Sequence, residues 1–415
     1  MSAQEIIHPL RRPEFRRLLA MSVTVALGFG MLIPVLPRYA KAFGVSLAVV
    51  GLVQLVFGLT RFSFGIVGGV FVDRFGERAS AVTGLLIVAL SSYAAGFAVN
   101  FPQLVFARGF GGAGSALFIA GLQNRIIRII EPEAMGRAAV ANRATFLIGI
   151  GLGPLLGGLV SHSFGLAAPF HFYATGLLVA AVIGWFVMAD EGEAVERVKR
   201  PPLEALRAAR PLFSDLRYVI ALAATFSAWW TISGPAQFIG PLFAAGELGL
   251  GDAQIGLAAT MISVGEAMVL PFVGKTADRY GRKVVLLPAL ASSVVATVLM
   301  GRVEATWAFF ALMSLMGASI ASISVAAGAL LADAIPRRGS GAAVGLGQMA
   351  GDLGYLISPV GTGYIAEHHG FPTAYSLAAI PAAIMFLAAL RLPRGIRARS
   401  EAEPIELPGT ENNPL

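Results

Sequence analysis

A chain of 415 residues that is 56% hydrophobic and only 13% charged, with a mean hydropathy of +0.74, carries far more apolar surface than one water-soluble core could bury, so its solvent is lipid. The formal net charge of +7 does not mark a nucleic-acid binder, because the basic residues lie between apolar runs instead of gathering on one soluble face. With no cysteine, disulfides, thiolate metal sites and cysteine nucleophiles are excluded.

Arg11, Arg12, Arg16 and Arg17 open the chain ahead of an apolar run of about 20 residues. That is longer than the roughly 7 to 15 residues of a signal-peptide core, so the run is expected to stay as an uncleaved first span. Stretches near the roughly 20 residues that cross hydrocarbon are predicted at 18–37, 46–72, 79–98, 102–121, 138–160, 169–189, 218–243, 255–273, 284–301, 306–331, 342–365 and 372–391. The long polar segment 190–217, with Pro201 and Pro202, divides these twelve spans into six and six. The expected organisation is a first bundle over 1–189, a cytoplasmic linker over 190–217, a second bundle over 218–391 and a cytoplasmic tail over 392–415.

Lysine and arginine set the orientation. With the N-terminus inside, all but six of the 31 fall in cytoplasmic segments: Arg38, Lys41 and Arg302 lie in external loops, and Arg61, Arg108 and Arg143 lie within spans. Both termini are therefore expected in the cytoplasm, in a multi-pass plasma-membrane protein.

One string occurs twice at an offset of 205 residues. Gly69, Asp73, Arg74, Gly76 and Arg78 after span 2 are answered by Gly274, Asp278, Arg279, Gly281 and Lys283 after span 8, with Glu77 facing Arg282 at the equivalent position. The same offset carries Gly112 to Gly317, Pro154 to Pro359 and Gly158 to Gly363, so one half is a copy of the other in its bends and close approaches. Parallel repeats of this kind are expected to rock about a site near mid-membrane.

The doubled Asp-Arg-x-Gly turn resembles the loop signature of the major facilitator superfamily, and the resemblance runs over nearly the whole chain. Glu77 departs from it, since that family usually has a basic residue there. Three further strings are similar to the twelve-helix drug:proton antiporter branch: Gly30 to Pro37 in span 1, Arg108-Gly-Phe-Gly-Gly112-Ala-Gly114 in span 4, and Gly149, Gly153, Pro154, Gly157 and Gly158 in span 5. The resemblance implies an all-α polytopic fold of two six-helix bundles, each with inverted 3+3 sub-repeats, that works as a single chain. It also implies contacts of span 2 with span 11 and of span 5 with span 8, a first-loop Asp73 that engages the start of span 11 near Gly341 and Ala342, and a proton-coupling role for Arg108.

Read without the family, the glycines of span 5 let neighbouring backbones approach, and Pro154 removes a donor and bends the helix; simple packing and sealing between halves both fit. Charges within spans are rare, because insertion of one at a helix centre costs roughly 2.5 to 3.5 kcal/mol. This chain keeps Arg61, Arg108, Arg143, Glu266 and Asp352. Arg61 and Asp352 lie about 15 Å from the cytoplasmic ends of their helices, and Arg143 and Glu266 about 8 to 10 Å. Given the family's helix contacts, two interdomain ion pairs are expected, Arg61 with Asp352 and Arg143 with Glu266. They could be a permanent clamp, or Asp352 and Glu266 could take up protons and loosen it.

Phe226, Trp229, Trp230 and Gln237 in span 7 and Tyr355 in span 11 are candidates to line a substrate cavity, though bulky residues there also serve packing. Span 1 lacks an acid of the kind that many exporters of cationic drugs carry, so a neutral or weakly acidic substrate fits as well. Gly109, Gly111 and Gly114 match a dinucleotide fingerprint but follow no strand, and His368-His369 has no further ligands nearby. No nucleotide-binding P-loop is present, which leaves an ion gradient as the energy source, with no cofactor and no metal. The expected function is export of a small organic molecule, drug-like or metabolite, in exchange for protons. Uptake of a sugar, organic acid or other nutrient is the alternative, and a receptor or membrane enzyme is disfavoured because no catalytic constellation is present.

Overall fold

The computed structural model describes residues 9–131, 134–188, 210–335 and 341–393. Most of the expected linker and tail therefore lie outside the described residues, which contain helices and turns and no strand. Eleven segments are long and apolar enough to cross a membrane. The last, Gly345–Ala389, has 45 residues and would measure about 68 Å as one straight helix, more than twice the roughly 30 Å of a hydrocarbon core. It turns at Gly370, where φ is 76°, ahead of Pro372, and so supplies two crossings.

Span 1 is the helix Pro13–Leu32, and spans 2 and 3 share Leu47–Gly96, broken at Gly76. Span 4 is Phe101–Ile129, span 5 Met135–Phe164 and span 6 Ala168–Val187. Span 7 begins as Leu216–Thr231, passes through a π-helical segment Ile232–Ile239 that contains Pro235, and ends as Gly240–Gly246. Spans 8, 9 and 10 are Asp252–Tyr280, Arg282–Met300 and Thr306–Ala334; span 11 and the start of span 12 lie in Gly341–Ala378, and span 12 ends in Ile380–Ala389. Several helices outrun their predicted apolar stretches. Span 4, predicted to stop at 121, continues to Ile129 because Asn124, Arg125 and Arg128 extend it beyond the hydrocarbon.

Local signals set the ends. Ser46 and Asn100 accept the amides of Val49 and Gln103, at 3.4 and 3.0 Å, and Asp215 accepts that of Arg217 at 2.8 Å. The Arg217 guanidinium, hydrogen-bonded to Asp215, holds that carboxyl below the ordinary carboxylate range. The glycines with positive φ form three pairs 205 residues apart: Gly44 with Gly249, Gly76 with Gly281, and Gly165 with Gly370. At Gly76 and Gly281, φ values of 81° and 98° let the chain reverse between spans within one residue, a conformation that a Cβ would strain.

Packing follows the same offset. The backbone of Gly112 in span 4 abuts Phe57 in span 2, and Gly317 in span 10 abuts Ile262 in span 8. A continuous buried apolar cluster runs from Phe15 in span 1 to Tyr375 in span 12, while a second, around Leu286, Ile323 and Leu330, joins spans 7 to 10 and 12.

Candidate functional site

The two halves meet along spans 5 and 8 and along spans 2 and 11. At the end away from the Asp-Arg turns the contact is backbone on backbone. Gly158 lies against Asp252 and Gly256, and 205 residues on Gly363 lies against Leu47. A Cβ on Gly51 would come within 2.8 Å of the Val360 nitrogen, and one on Gly256 within 2.8 Å of the Gly158 Cα. Charges close the same end: Arg38 Nη2 to Asp252 Oδ1 is 2.6 Å, Lys41 Nζ to Glu367 Oε2 is 3.9 Å, and Glu367 Oε2 accepts the Leu47 amide at 2.8 Å. All three contacts cross between halves.

Towards the Asp-Arg turns the same helices part. In span 2, Leu47, Val50, Val53 and Phe57 are buried, whereas Leu59, Phe62 and Phe64 are exposed. Span 8 repeats this: Ile255, Ala258, Ala259 and Ile262 are buried, and Val264, Met268, Leu270 and Phe272 are exposed. A Cβ placed on Gly69 or Gly274 would meet nothing within 4 Å. The interface is therefore a wedge, shut at one end and open at the turns.

Arg61 and Arg143 are exposed and Glu266 and Asp352 half-buried. Neither expected ion pair is in contact in this conformation, although Arg143 lies within electrostatic reach of Glu266 and Arg61 within reach of Tyr355. Arg108 sits deeper, at the shut end of the wedge, 2% exposed, with its guanidinium 4.7 Å from the centre of the Phe57 ring. It lines a cavity with Phe29, Gln54, Phe57 and Tyr355. Of the span 7 candidates, Trp229 meets Tyr355 edge-on at 5.9 Å, and Phe226 stacks on Trp230 at 5.9 Å. Trp230 Nε1 donates to the Ala378 carbonyl at 3.1 Å, which ties that ring to span 12. Gln237 is buried in the π-helical segment, whose Ser233 donates to the Tyr355 carbonyl at 2.6 Å. This cross-link couples the irregular part of span 7 to the residue beside the cavity.

The span 5 glycines divide by face. Gly149, Gly153 and Gly157, four residues apart, lie against Leu27, Gly30 and Met31 of span 1, whereas Gly158 faces span 8 in the other half. Pro154 leaves the Ile150 carbonyl without its helical donor, and that oxygen would stand 3.0 Å from a Cβ on Gly30.

At the turns, Glu77 is only 6% exposed, 3.1 Å from Arg128 Nε and 3.7 Å from Arg125 Nη1; Arg125 also holds Glu14 at 2.5 Å. In the second half Arg282 pairs with Asp278 and, at 3.2 Å, with Asp333. Since 77 maps to 282 and 128 to 333, the basic-for-acidic exchange at Glu77 is one side of a complete inversion: Glu77 with Arg128 becomes Arg282 with Asp333. Residue 77 therefore cannot neutralise Asp73 as Arg282 does Asp278. Asp73 and Arg74 are exposed, and at Gly341 and Ala342 only the helical backbone is described. Arg78 lies 3.9 Å over Trp185 at the end of span 6, and Lys283 donates to Leu390 and Leu392 at the end of span 12, at 2.6 Å each.

Sequence reasoning missed Phe29, Gln54 and Phe57, which look like ordinary span residues, and the Arg38, Asp252 and Glu367 contacts. The inversion was readable, because the 205-residue offset already connects Arg128 to Asp333.

The family model described as Major Facilitator Superfamily matches residues 18–251 and 221–411. Multidrug resistance protein 2 of Bacillus subtilis is 30% identical over 175 residues, 41% of this chain and 42% of that relative. The multi-drug resistance efflux pump PmrA of Streptococcus pneumoniae is 22% identical over 354 residues, 83% of this chain and 87% of its own. Among solved structures, a mutant form of the nucleoside transporter NupG superposes with a TM-score of 0.75 at 14% identity, over 91% of this chain and 99% of that one.

Proposed function

The chain belongs to the Major Facilitator Superfamily of multi-pass membrane transporters, and on that premise we propose that it exports a small organic molecule in exchange for protons by alternating access. The observation that carries this reading is the wedge. Two halves with duplicated packing touch backbone to backbone at one end and part at the other, which is the geometry of a pair of bundles that can rock about a central site. The excess of Lys and Arg beside the turns puts that end in the cytoplasm, so this conformation is open to the cytoplasm. The boundaries 1–189, 190–217 and 218–391 then describe two rocking units and their linker.

In the opposite state the turn end closes. The empty space at Gly69 and Gly274 is where another backbone can approach, and Asp73 can reach the start of span 11. Closure also brings Arg61 towards Asp352 and Arg143 towards Glu266. A proton on either carboxylate weakens the closed cytoplasmic gate and favours return to the open state, which couples proton entry to resetting of the carrier. Export is favoured over uptake by the Gly-Pro string of span 5 and by one relative named as a multidrug resistance protein and another named as an efflux pump. The likeness to a nucleoside transporter keeps uptake as the second reading.

In inverted membrane vesicles energised with an acidic lumen, a substrate found by panel screening is expected to accumulate, and a protonophore is expected to release it. Accumulation that survives the protonophore, or that occurs only in right-side-out vesicles, would contradict the proposal.

A further inference from the structure

Arg108 is a buried cation without a counter-ion. Its Nε and Nη1 atoms have no hydrogen-bond acceptor among the described residues, and no carboxylate there lies within 4.0 Å of it. The Phe57 ring offers its face at 4.7 Å, which satisfies part of the charge but accepts none of the in-plane N–H groups. A guanidinium does not shed its proton inside a protein, so the group cannot neutralise itself as a buried lysine can. The neighbouring polar groups from other spans are Gln54, Tyr173 and Tyr355; Gln54 Oε1 is itself without a partner, and Tyr355 feels both Arg108 and Arg61. Asp352, one turn from Tyr355, is half-buried and makes no ion pair within 4.0 Å. The cavity wall beside these groups is aromatic and aliphatic: Phe29, Phe57, Leu32, Ile33 and Leu36.

We propose that Arg108 holds the acidic group of an organic anion, a carboxylate or sulfonate on a flat apolar body, at this cavity, which measures about 20 Å³ in this conformation and has to widen between Phe29, Phe57 and Tyr355 to admit the rings. The assignment rests on the transport reading above and names its substrate class. The unfilled N–H groups of Nε and Nη1 on one permanent cation ask for acceptor oxygens carrying negative charge, and charge-assisted bonds to such oxygens are the strongest available to arginine. The aromatic lining then selects for the body of the ligand. A cationic drug would meet a like charge at the cavity's inner end, and a neutral one would leave the same donors unfilled. This substrate class also has an energetic signature. Exchange of one proton entering for one anion leaving moves two positive charges inward, so an inside-negative potential drives it, whereas exchange of a proton for a monocation is electroneutral.

The test uses the full chain in detergent and matched isosteres: 2-naphthoate and 2-naphthalenesulfonate, neutral 2-naphthalenemethanol and cationic 2-naphthylmethylamine, read by tryptophan quenching and by thermal shift. At least one anion is expected to bind about tenfold more tightly than its neutral and cationic isosteres, and to raise the melting temperature. Arg108→Gln is expected to abolish that preference while leaving the weak affinity for the neutral compound within about twofold, and Arg108→Lys to retain part of it. The isostere comparison on the unaltered protein needs no variant, so it stands even if Arg108→Gln fails to fold. Equal affinity for anion and neutral isosteres, or an Arg108→Gln variant that weakens both alike, overturns the assignment. Anion-selective binding without flux in proteoliposomes would support the subsite and defeat the transport reading, which keeps the two failures apart.

Discussion

Glu77→Arg is expected to unfold or mistarget most of the protein, although arginine is the residue that the second half carries at the equivalent position. The substitution sets a third cation in a buried pocket that already holds Arg125 and Arg128, and removes the acid that sits 3.1 Å from Arg128 and 3.7 Å from Arg125. Removing one member of a buried ion pair costs up to about 3 to 5 kcal/mol, and the added repulsion among three neighbouring cations acts in the same direction. The expected rescue comes from the second half. Glu77→Arg combined with Arg128→Asp recreates the Arg282 and Asp333 arrangement, while Arg125 keeps Glu14. A double-mutant cycle on melting in detergent should return a coupling of about 2 to 3 kcal/mol between positions 77 and 128. Additive losses would mean that the charges are solvated and that the inversion has no structural weight.

The second large effect is expected at Gly256. Its Cα approaches Gly158 so closely that a Cβ would stand 2.8 Å from the Gly158 Cα and 3.0 Å from its nitrogen, and both are backbone atoms that cannot swing away. Gly256→Val therefore wedges the shut end apart instead of being absorbed. Overpacking of this kind costs about 1 to 3 kcal/mol. Because only the conformation that is shut here bears that cost, the equilibrium between states shifts by roughly 5- to 150-fold, with little loss of folded protein. Transport should fall about tenfold or more, since a carrier held in one state cannot cycle. The cysteine-free chain makes the shift visible: a cysteine introduced at Gln54, in the cavity, should react with an external membrane-impermeant maleimide in the Gly256→Val background and be protected without it. Gly51→Val, at the matching contact with Pro359 and Val360, should act in the same way. Unchanged labelling in both variants would mean that the glycine contacts are ordinary packing and not a gate.

The twelve spans, the turns and the copying of one half in the other were legible in the sequence because each is written locally. Span length, a run of Gly, Asp and Arg, and an offset are all properties of the string. The offset proved richer than the loops that revealed it: the positive-φ glycines, the Gly112 and Gly317 contacts, the outer glycine contacts and the Glu77 and Arg282 charges all obey it. Less legible were features that depend on how the halves lean. The lean of one half on the other is set by contacts between residues far apart in the chain, and no local pattern encodes it. For this reason Arg61 and Asp352 can stand at matching depths and still be apart. The π-helical stretch Ile232–Ile239 was hidden too, since its irregularity is held by Ser233 bonding to span 11 as well as by Pro235. Phe29, Gln54 and Phe57 gain meaning only beside Arg108, which reaches them from another helix.

Proton coupling as proposed falls to carboxylates that lie within the predicted spans of one half only. Glu266 occupies the position that Arg61 holds in the first half, and Asp352 answers the apolar Leu147, so the copies agree in packing and differ in charge. Proton-driven uptake of substrate into inverted vesicles, measured with and without a pH gradient for the unaltered protein, Glu266→Gln and Asp352→Asn, tests this most directly. At least one variant should keep substrate exchange down a concentration gradient while losing acceleration by the pH gradient. Full proton-driven transport in both variants would contradict the claim that these carboxylates carry the coupling.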